Sequence, residues 1–132
     1  MTPCYLSQVL IDEVHDAQVV FLRERDGQRR VGIAIGLAEA TAIDRAVRGQ
    51  APARPLTHDL MTEALRALGA TVAAVRIVDV QAGVFRAELE LVAADGRRLR
   101  IDCRPSDGLA LAARVPGVAI EVAEPVLAEA GG

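Results

Sequence analysis

The sequence of 132 residues has no tryptophan and no lysine, and aromatic residues make up only 2% of it. So few aromatic side chains leave few platforms for unpaired bases, which counts against binding single-stranded nucleic acid by stacking. All 15 basic residues are arginine, and the formal net charge is −3. Because proteins that wrap duplex DNA normally present a basic face, this charge argues against tight nonspecific binding, although it still allows a local basic patch.

Cysteine is scarce, and long apolar runs are absent. Cys4 and Cys103 are the two cysteines, and no Cys-x-x-Cys or Cys/His cluster is present, so we expect no structural zinc. The first ten residues lack the basic segment and the apolar core of a signal peptide. No apolar run is long enough to span a bilayer. We therefore expect a cytoplasmic protein with reduced thiols and no membrane contact.

The composition is typical of one domain with a core of Ala, Val, Leu and Ile, since 52% of the residues are hydrophobic and 25% are charged. Alternating apolar residues predict strands, and apolar residues at helical spacing predict helices. In the strand 97–103, Leu99, Ile101 and Cys103 are expected to face inward. In the helix 57–68, the expected apolar stripe consists of Leu60, Met61, Ala64, Leu65 and Leu68. Strands are predicted over 5–14, 18–25, 29–35, 71–80, 84–92, 97–103 and 118–122, and helices over 37–47, 57–68, 106–114 and 124–130.

Three strands followed by a helix occur twice, in halves of about 4–48 and 70–123, with a helical connection over 54–69. The hairpin signal Asp26-Gly27 in the first half corresponds to Asp95-Gly96 in the second. Each half is too small to bury a core alone. We expect one α+β domain, residues 1–132, with a mainly antiparallel or mixed sheet and halves related by a pseudo-twofold. Because Asp-Gly hairpins are common, chance similarity remains the alternative.

Two Arg-Pro segments stand out, Arg54-Pro-Leu-Thr-His-Asp59 and Arg104-Pro-Ser-Asp107. In each, a hydroxyl and an acid follow at a predicted helix start. Thr57 and Ser106 are of the type that caps helices, and the acids lie where the helix dipole favours a carboxylate. If the halves are related by a twofold, we expect both segments to converge on one pocket together with Glu39.

Such a pocket has the groups that phosphodiester hydrolysis needs. Clustered carboxylates prefer Mg²⁺ or Mn²⁺, and a metal with a nearby arginine stabilises charge developing on a phosphodiester. A histidine titrates near neutrality and can transfer a proton. The candidates are His58, Asp59 and Asp107 for catalysis, Arg54, Arg104 and Ser106 for phosphate binding, and Asp59, Asp107 and Glu39 for the metal.

Each of these residues also has a structural explanation. The acids can stabilise helix starts, and Arg54 and Arg104 can pair with neighbouring acids and so hold the turns together. No Ser-His-Asp order, phosphate-binding loop or dinucleotide glycine pattern is present. The alternative is therefore a non-catalytic regulatory or binding module for a protein or a small anionic ligand. A third possibility is a dimer that meets nucleic acid through a basic face made by Arg97, Arg98 and Arg100.

The two Arg-Pro segments resemble the signature segments of the bifunctional nuclease domain family. The stretch 31–40 resembles its first signature and 118–127 its closing strand and turn, so the resemblance spans nearly the whole chain. It implies a compact α+β domain, often dimeric, with nuclease activity on both DNA and RNA. The family's polar motif positions, without assigned catalytic roles, correspond to Glu39, Arg54, His58, Asp59, Arg104, Ser106 and Asp107.

Three positions depart from the family pattern. Ala34 stands where a large aromatic residue is usual, Cys103 where Ser is common, and Gly108 where Ala is usual. The first departure opens space in the core or at an interface. The resulting hypothesis is a homodimeric, metal-dependent nuclease that acts on DNA and RNA with little sequence preference.

Overall fold

The computed structural model describes residues 1–132, which form seven strands and four helices. The bounds agree with the sequence-based expectations to within a few residues. The strands are β1 (Thr2–Asp12), β2 (Ala17–Glu24), β3 (Arg30–Ala34), β4 (Thr71–Gln81), β5 (Val84–Val92), β6 (Arg98–Cys103) and β7 (Ala119–Val122). The helices are α1 (Leu37–Val47), α2 (Thr57–Ala67), α3 (Pro105–Arg114) and α4 (Glu124–Ala130).

The strands form one mixed sheet in the order β3-β2-β1-β7-β4-β5-β6. Every neighbouring pair is antiparallel except β4 and β7, which are parallel. The domain is therefore α+β, as predicted. The meander β1–β3 and the meander β4–β6 lie on either side of β7, which is the order that a pseudo-twofold between the halves would produce. That symmetry itself remains a prediction.

Helices α1, α3 and α4 bury their apolar residues against one face of the sheet, here called the inner face. Ile43 of α1, Leu109 of α3 and Val126 of α4 share one core cluster with inward-facing strand residues. Helix α3 lies very close to β4, because a Cβ on Gly108 would lie only 2.8 Å from Cγ1 of Val75. The helices cover the inner face alone, so no helix covers the opposite, outer face.

The prediction that Ser106 and Thr57 act as N-caps is wrong. Arg104 is the N-cap of α3, and Leu56 is the N-cap of α2. Proline suits the first helical position because it has no N–H to leave unpaired and its φ is already helical, so α3 begins at Pro105. In α2 the role of a capping side chain is taken by Asp59, whose Oδ2 accepts the Leu56 N–H at 3.0 Å.

The two edges of the sheet differ. Arg30 of β3 exchanges two backbone hydrogen bonds with Gly132, so the end of the chain pairs with this edge. Strand β6 forms the other edge and has no outer neighbour. Leu99 and Ile101 face the helix side, as predicted, but they remain 39% and 45% exposed. No helix lies over β6 to cover them.

Helix α2 leaves most of its predicted apolar stripe in solvent. Leu60 is 64% exposed and Leu68 is 77% exposed, and the one buried residue of the helix is His58. The helix packs mainly on α3, and its Leu65 packs against the core cluster that Leu111 forms with residues of β4 and β5. None of the four helices has the length and apolar character that crossing a bilayer requires.

Candidate functional site

Three helix starts converge beside the inner face of the second meander. Glu39, Asp59 and Asp107 each occupy the third position of a helix, in α1, α2 and α3 respectively. Although their helical positions are equivalent, the three carboxylates have different partners. Two of them meet in one polar cluster, and the third faces away from it.

The polar cluster consists of His58, Asp107, Arg104 and Glu39. His58 Nε2 lies 3.0 Å from Asp107 Oδ1. Arg104 donates from Nε to Asp107 Oδ2 at 2.9 Å and from Nη1 to Glu39 Oε1 at 3.0 Å. A histidine, an arginine and two carboxylates from three separate helix starts are thus joined by hydrogen bonds.

Burial differs across this cluster. His58 is 8% exposed as a residue, whereas the Arg104 side chain is 64% exposed. Partial burial of Asp107 disfavours its charged form, but hydrogen bonds from Arg104 and His58 outweigh this effect, so the pKa of Asp107 lies below its usual value. Asp107 is therefore ionised at neutral pH and can accept a hydrogen bond that orients the imidazole.

The polar cluster borders a groove of about 1290 Å³ that is lined by α1, α2, α3, β5 and β6. Most of the remaining lining is apolar and includes Leu37, Met61, Leu89 and Ile101. Cys103 also lines the groove. Burial raises the pKa of its thiol to about 11, so the thiol stays protonated near neutral pH and is a poor nucleophile.

The other predicted site residues lie outside this groove. Asp59 Oδ1 accepts a hydrogen bond from Arg114 Nε at 2.8 Å, at the far end of α3. Arg54 is exposed, Ser106 is buried, and neither lines the groove. The two Arg-Pro segments therefore meet through the contact between His58 and Asp107. The pairing of Arg104 with Asp107 is the one that the structural alternative for these motifs predicts.

Sequence reasoning missed Arg114, whose side chain is 10% exposed. Its guanidinium bonds to Asp59 and also to the carbonyls of Ala110 and Ala42, so it ties α1, α2 and α3 together. The Asp59 pKa is lowered by the Leu56 N–H and by Arg114. The signal that could have identified Arg114 is its place as an arginine in the last turn of a mostly apolar helix. Its partners Asp59 and Ala42 could not be predicted, because they lie 55 and 72 residues away in sequence.

The structure contains no group of three or more His, Cys, Asp and Glu side chains arranged to hold a metal ion. Of the predicted ligands, Glu39 and Asp107 come together and both bond to Arg104, whereas Asp59 bonds to Arg114. Mg²⁺ is commonly held by one or two carboxylates together with substrate phosphates and water. Arg104 bridges these two carboxylates in this structure, and metal dependence remains a prediction.

Comparison with known proteins agrees with the resemblance seen in the motifs. The family model of the bifunctional nuclease domain matches residues 20–132. Proteins from two strains of Mycobacterium tuberculosis, both named only as uncharacterized, are 44% identical over 123 residues, which covers 93% of this chain and 72% of each relative. The family description indicates a nuclease-related function. With a match over most of its length, the chain belongs to the bifunctional nuclease domain family.

Proposed function

We propose that the protein is a nuclease that hydrolyses phosphodiester bonds in DNA and RNA with little sequence preference. The observation that carries the proposal is the hydrogen-bonded cluster of His58, Asp107 and Arg104 at the open groove. Helix N-termini favour bound anions, and α2 and α3 both begin at this cluster. Family membership supports the same reaction class.

In the proposed reaction, a water molecule attacks the phosphorus atom while His58 accepts a proton from that water. The bond between phosphorus and the leaving nucleotide oxygen breaks, and this oxygen takes a proton from solvent. The products are a phosphate monoester and a free hydroxyl. Asp107 accepts a hydrogen bond from His58 Nε2, which orients the ring, as in other pairs of a base and an orienting acid.

Arg104 would stabilise the negative charge on the reacting phosphate, since its exposed guanidinium can reach a substrate in the groove. Glu39 and Asp107 would hold Mg²⁺ or Mn²⁺, which would supply further charge stabilisation. Asp59 would have a structural role, because its bond to Arg114 holds the start of α2 on α3. The phosphate-binding roles of Arg54 and Ser106 remain predictions without a contact to the groove.

The test measures cleavage of mixed-sequence DNA and RNA by the wild type and by Asp107→Asn, with Mg²⁺, with Mn²⁺ and with a chelator. We expect Asp107→Asn to lower the rate by about 10²–10⁴-fold, because it removes the orienting charge of the general base. Asp95→Asn is the matched control, since Asp95 is exposed and pairs only with Arg97. If the wild type shows no metal-stimulated cleavage above Asp107→Asn, the proposal is wrong.

One observation favours the alternative of a non-catalytic binding module for a protein or a small anionic ligand. The groove lining is mostly apolar, and Arg104 already has two carboxylate partners. Under this alternative, Asp107→Asn changes no reaction rate, and its effect is a loss of about 1–3 kcal/mol in stability. Measuring cleavage and unfolding on the same variant separates the two functions.

We also propose that the protein is a cytoplasmic homodimer. Both cysteines are free, which suits a reducing compartment. Leu60, Leu99 and Ile101 lie exposed on α2 and β6, and a second copy would remove this apolar surface from water. We expect Leu60→Glu to shift sedimentation equilibrium toward the monomer. Val14→Glu, which changes a more exposed apolar residue on the β1–β2 turn, should leave it unchanged.

A further inference from the structure

The outer face of the first meander carries a group of arginines and aromatic residues. In the strand register, Tyr5 lies opposite Arg23, Arg23 lies opposite Arg30, and Phe21 lies opposite Gly32. Directly paired residues on neighbouring strands share a face. These side chains therefore project together from the side of the sheet that no helix covers. We call Tyr5, Phe21, Arg23, Arg25 and Arg30 the arginine–aromatic patch.

The aromatic rings of the patch already contact cationic groups. The Arg30 guanidinium carbon lies 4.6 Å from the centroid of the Phe21 ring, and that of Arg25 lies 5.9 Å from the Tyr5 ring. Gly32 allows the Phe21 ring to lie across β3, since a Cβ at this position would approach the ring to 2.9 Å. Bases stack both on aromatic rings and on guanidinium planes, so the patch offers surfaces of both kinds.

The arginines of the patch have no carboxylate partners. The ion pairs of the structure engage other arginines, namely Arg29, Arg48, Arg66, Arg76, Arg86, Arg97, Arg98, Arg104 and Arg114. Arg23 and Arg30 lie directly opposite each other, and like charges in such a pair are destabilising. A bound anion between them would relieve this repulsion.

One carboxylate of β1 and one of β7 share the outer face with the patch, and both bond to other residues. Asp12 shares this outer face, but it lies at the far end of β1 and bonds to His15 at 2.7 Å. Glu121 lies on the neighbouring strand β7, opposite Pro3, and accepts a hydrogen bond from Arg76. The patch is therefore locally basic, although the net charge of the chain is −3.

We propose that the arginine–aromatic patch binds single-stranded nucleic acid. Its arginines contact phosphates, and Tyr5 and Phe21 stack on unpaired bases. A single strand fits better than a duplex, because paired bases are stacked inside the duplex and cannot reach the rings. The low overall aromatic content counted against such binding, but two of the three aromatic residues are concentrated on this one face. The patch lies across the sheet from His58 and Asp107, so the proposal does not rest on hydrolysis at that cluster.

The test is fluorescence anisotropy with end-labelled single-stranded DNA and RNA of mixed sequence and with the matching duplex. A chelator is present, and the salt concentration is varied. We expect the wild type to bind single strands more tightly than the duplex. In the double variant Arg23→Gln/Arg30→Gln, we expect binding to weaken at least about tenfold and the log–log salt slope to fall by about 1.4, since each phosphate contact contributes about 0.7 for single strands.

Phe21→Leu keeps an apolar side chain but removes the ring, and we expect it to weaken binding by about 5–100-fold through lost stacking. Arg97→Gln is the matched control for charge, because Arg97 is 71% exposed and pairs only with Asp95 on the opposite meander. If the wild type does not bind single strands, or if both patch variants bind as tightly as Arg97→Gln, the proposal is overturned. It is also overturned if the patch variants change the oligomeric state without changing nucleic-acid binding, since the patch would then be an interface between copies.

Discussion

Both meanders carry arginines on their outer faces, but these arginines have different neighbours. On β4–β6, Arg76 donates to Glu90 and to Glu121 at 2.8 Å, and Arg98 donates to Glu90 at 2.6 Å. On β1–β3, Arg23 and Arg30 face each other with no acid between them. A count of arginines therefore does not reveal a basic surface. The strand register decides whether a surface is basic, because the register sets which side chain lies opposite each arginine.

A similar contrast separates the acids of the two Arg-Pro segments. Asp107 faces the groove and bonds to His58 and Arg104, whereas Asp59, at the same helical position, bonds to Arg114. The first acid lies where the proposed reaction would need it, and the second holds α2 on α3. Equivalent motif positions thus acquire different roles once the helices pack.

The largest stability effect is expected from Arg76→Gln, which breaks the ion-pair network of the second meander. The Arg76 side chain is 23% exposed, and its partner Glu90 is 8% exposed, so the charged hydrogen bonds are poorly replaced by water. We expect a loss of about 2–3 kcal/mol in the free energy of unfolding, measured by urea denaturation. A loss equal to that of Arg23→Gln would contradict the contrast between the two faces.

The ion pair between Arg76 and Glu90 should make the stability of the protein depend on pH. Arg76 holds the pKa of Glu90 below its usual value, so the stabilisation is complete above the unfolded pKa of about 4.5 and is lost as the pH falls through the lower folded value. We expect the stability difference between the wild type and Arg76→Gln to shrink as the pH falls below about 4.5. Urea denaturation between pH 7 and 3 measures this, and a difference that is constant with pH would contradict it.

A smaller loss is expected from Asp59→Asn, which removes the charge that faces Arg114. The Arg114 side chain is 10% exposed and that of Asp59 is 28% exposed. We expect a loss of about 1–2 kcal/mol in the free energy of unfolding, since the amide still accepts weaker hydrogen bonds. Cleavage per folded molecule should stay close to that of the wild type. A large loss of rate without a loss of stability would instead place Asp59 in the reaction.

Tyr5→Glu would give the first meander the pattern of the second, because it places a carboxylate opposite Arg23. We expect a gain of about 0.2–1 kcal/mol from the new cross-strand pair, measured by urea denaturation. We also expect weaker binding of single strands in the anisotropy assay, since the variant loses a ring and neutralises an arginine. Tyr5→Gln, which loses the ring without adding a charge, separates the two effects.

The smallest effect is expected from Arg23→Gln alone. Its side chain lies opposite Arg30 and makes no ion pair, so its removal relieves repulsion and breaks no bond to a carboxylate. We expect stability to change by less than about 0.5 kcal/mol or to rise slightly. A loss as large as that of Arg76→Gln would show that the patch arginines are structural.

The local pattern of apolar and polar residues was sufficient to predict the helices and strands. The apolar spacing in 37–47 and the alternation in 84–92 predicted α1 and β5 at the bounds that the structure has. The same patterns placed Leu99, Ile101 and Leu60 on the apolar faces of their elements, but all three residues are exposed. Periodicity reports which residues share a face of an element. It does not report whether another element covers that face.

The sequence motifs predicted only part of the candidate site, because they too report local position and not packing. The motifs identified His58, Asp107, Arg104 and Glu39 as candidates, and these residues do come together. The motifs also included Asp59, Arg54 and Ser106, which lie outside the groove. Spacing along the chain places an acid at a helix start, but the direction of its side chain depends on the arginine that a neighbouring helix brings to it.

The sequence by itself determined the family, the order of the elements and the residues that share each face, because these depend on neighbouring residues and short repeats. Only the tertiary structure decided which charges meet. His58 and Asp107 are 49 residues apart in sequence, and Arg104 and Glu39 are 65 apart. Such pairs form when helices and strands from distant parts of the chain pack together, and that same packing leaves the patch arginines on β2 and β3 without carboxylate partners.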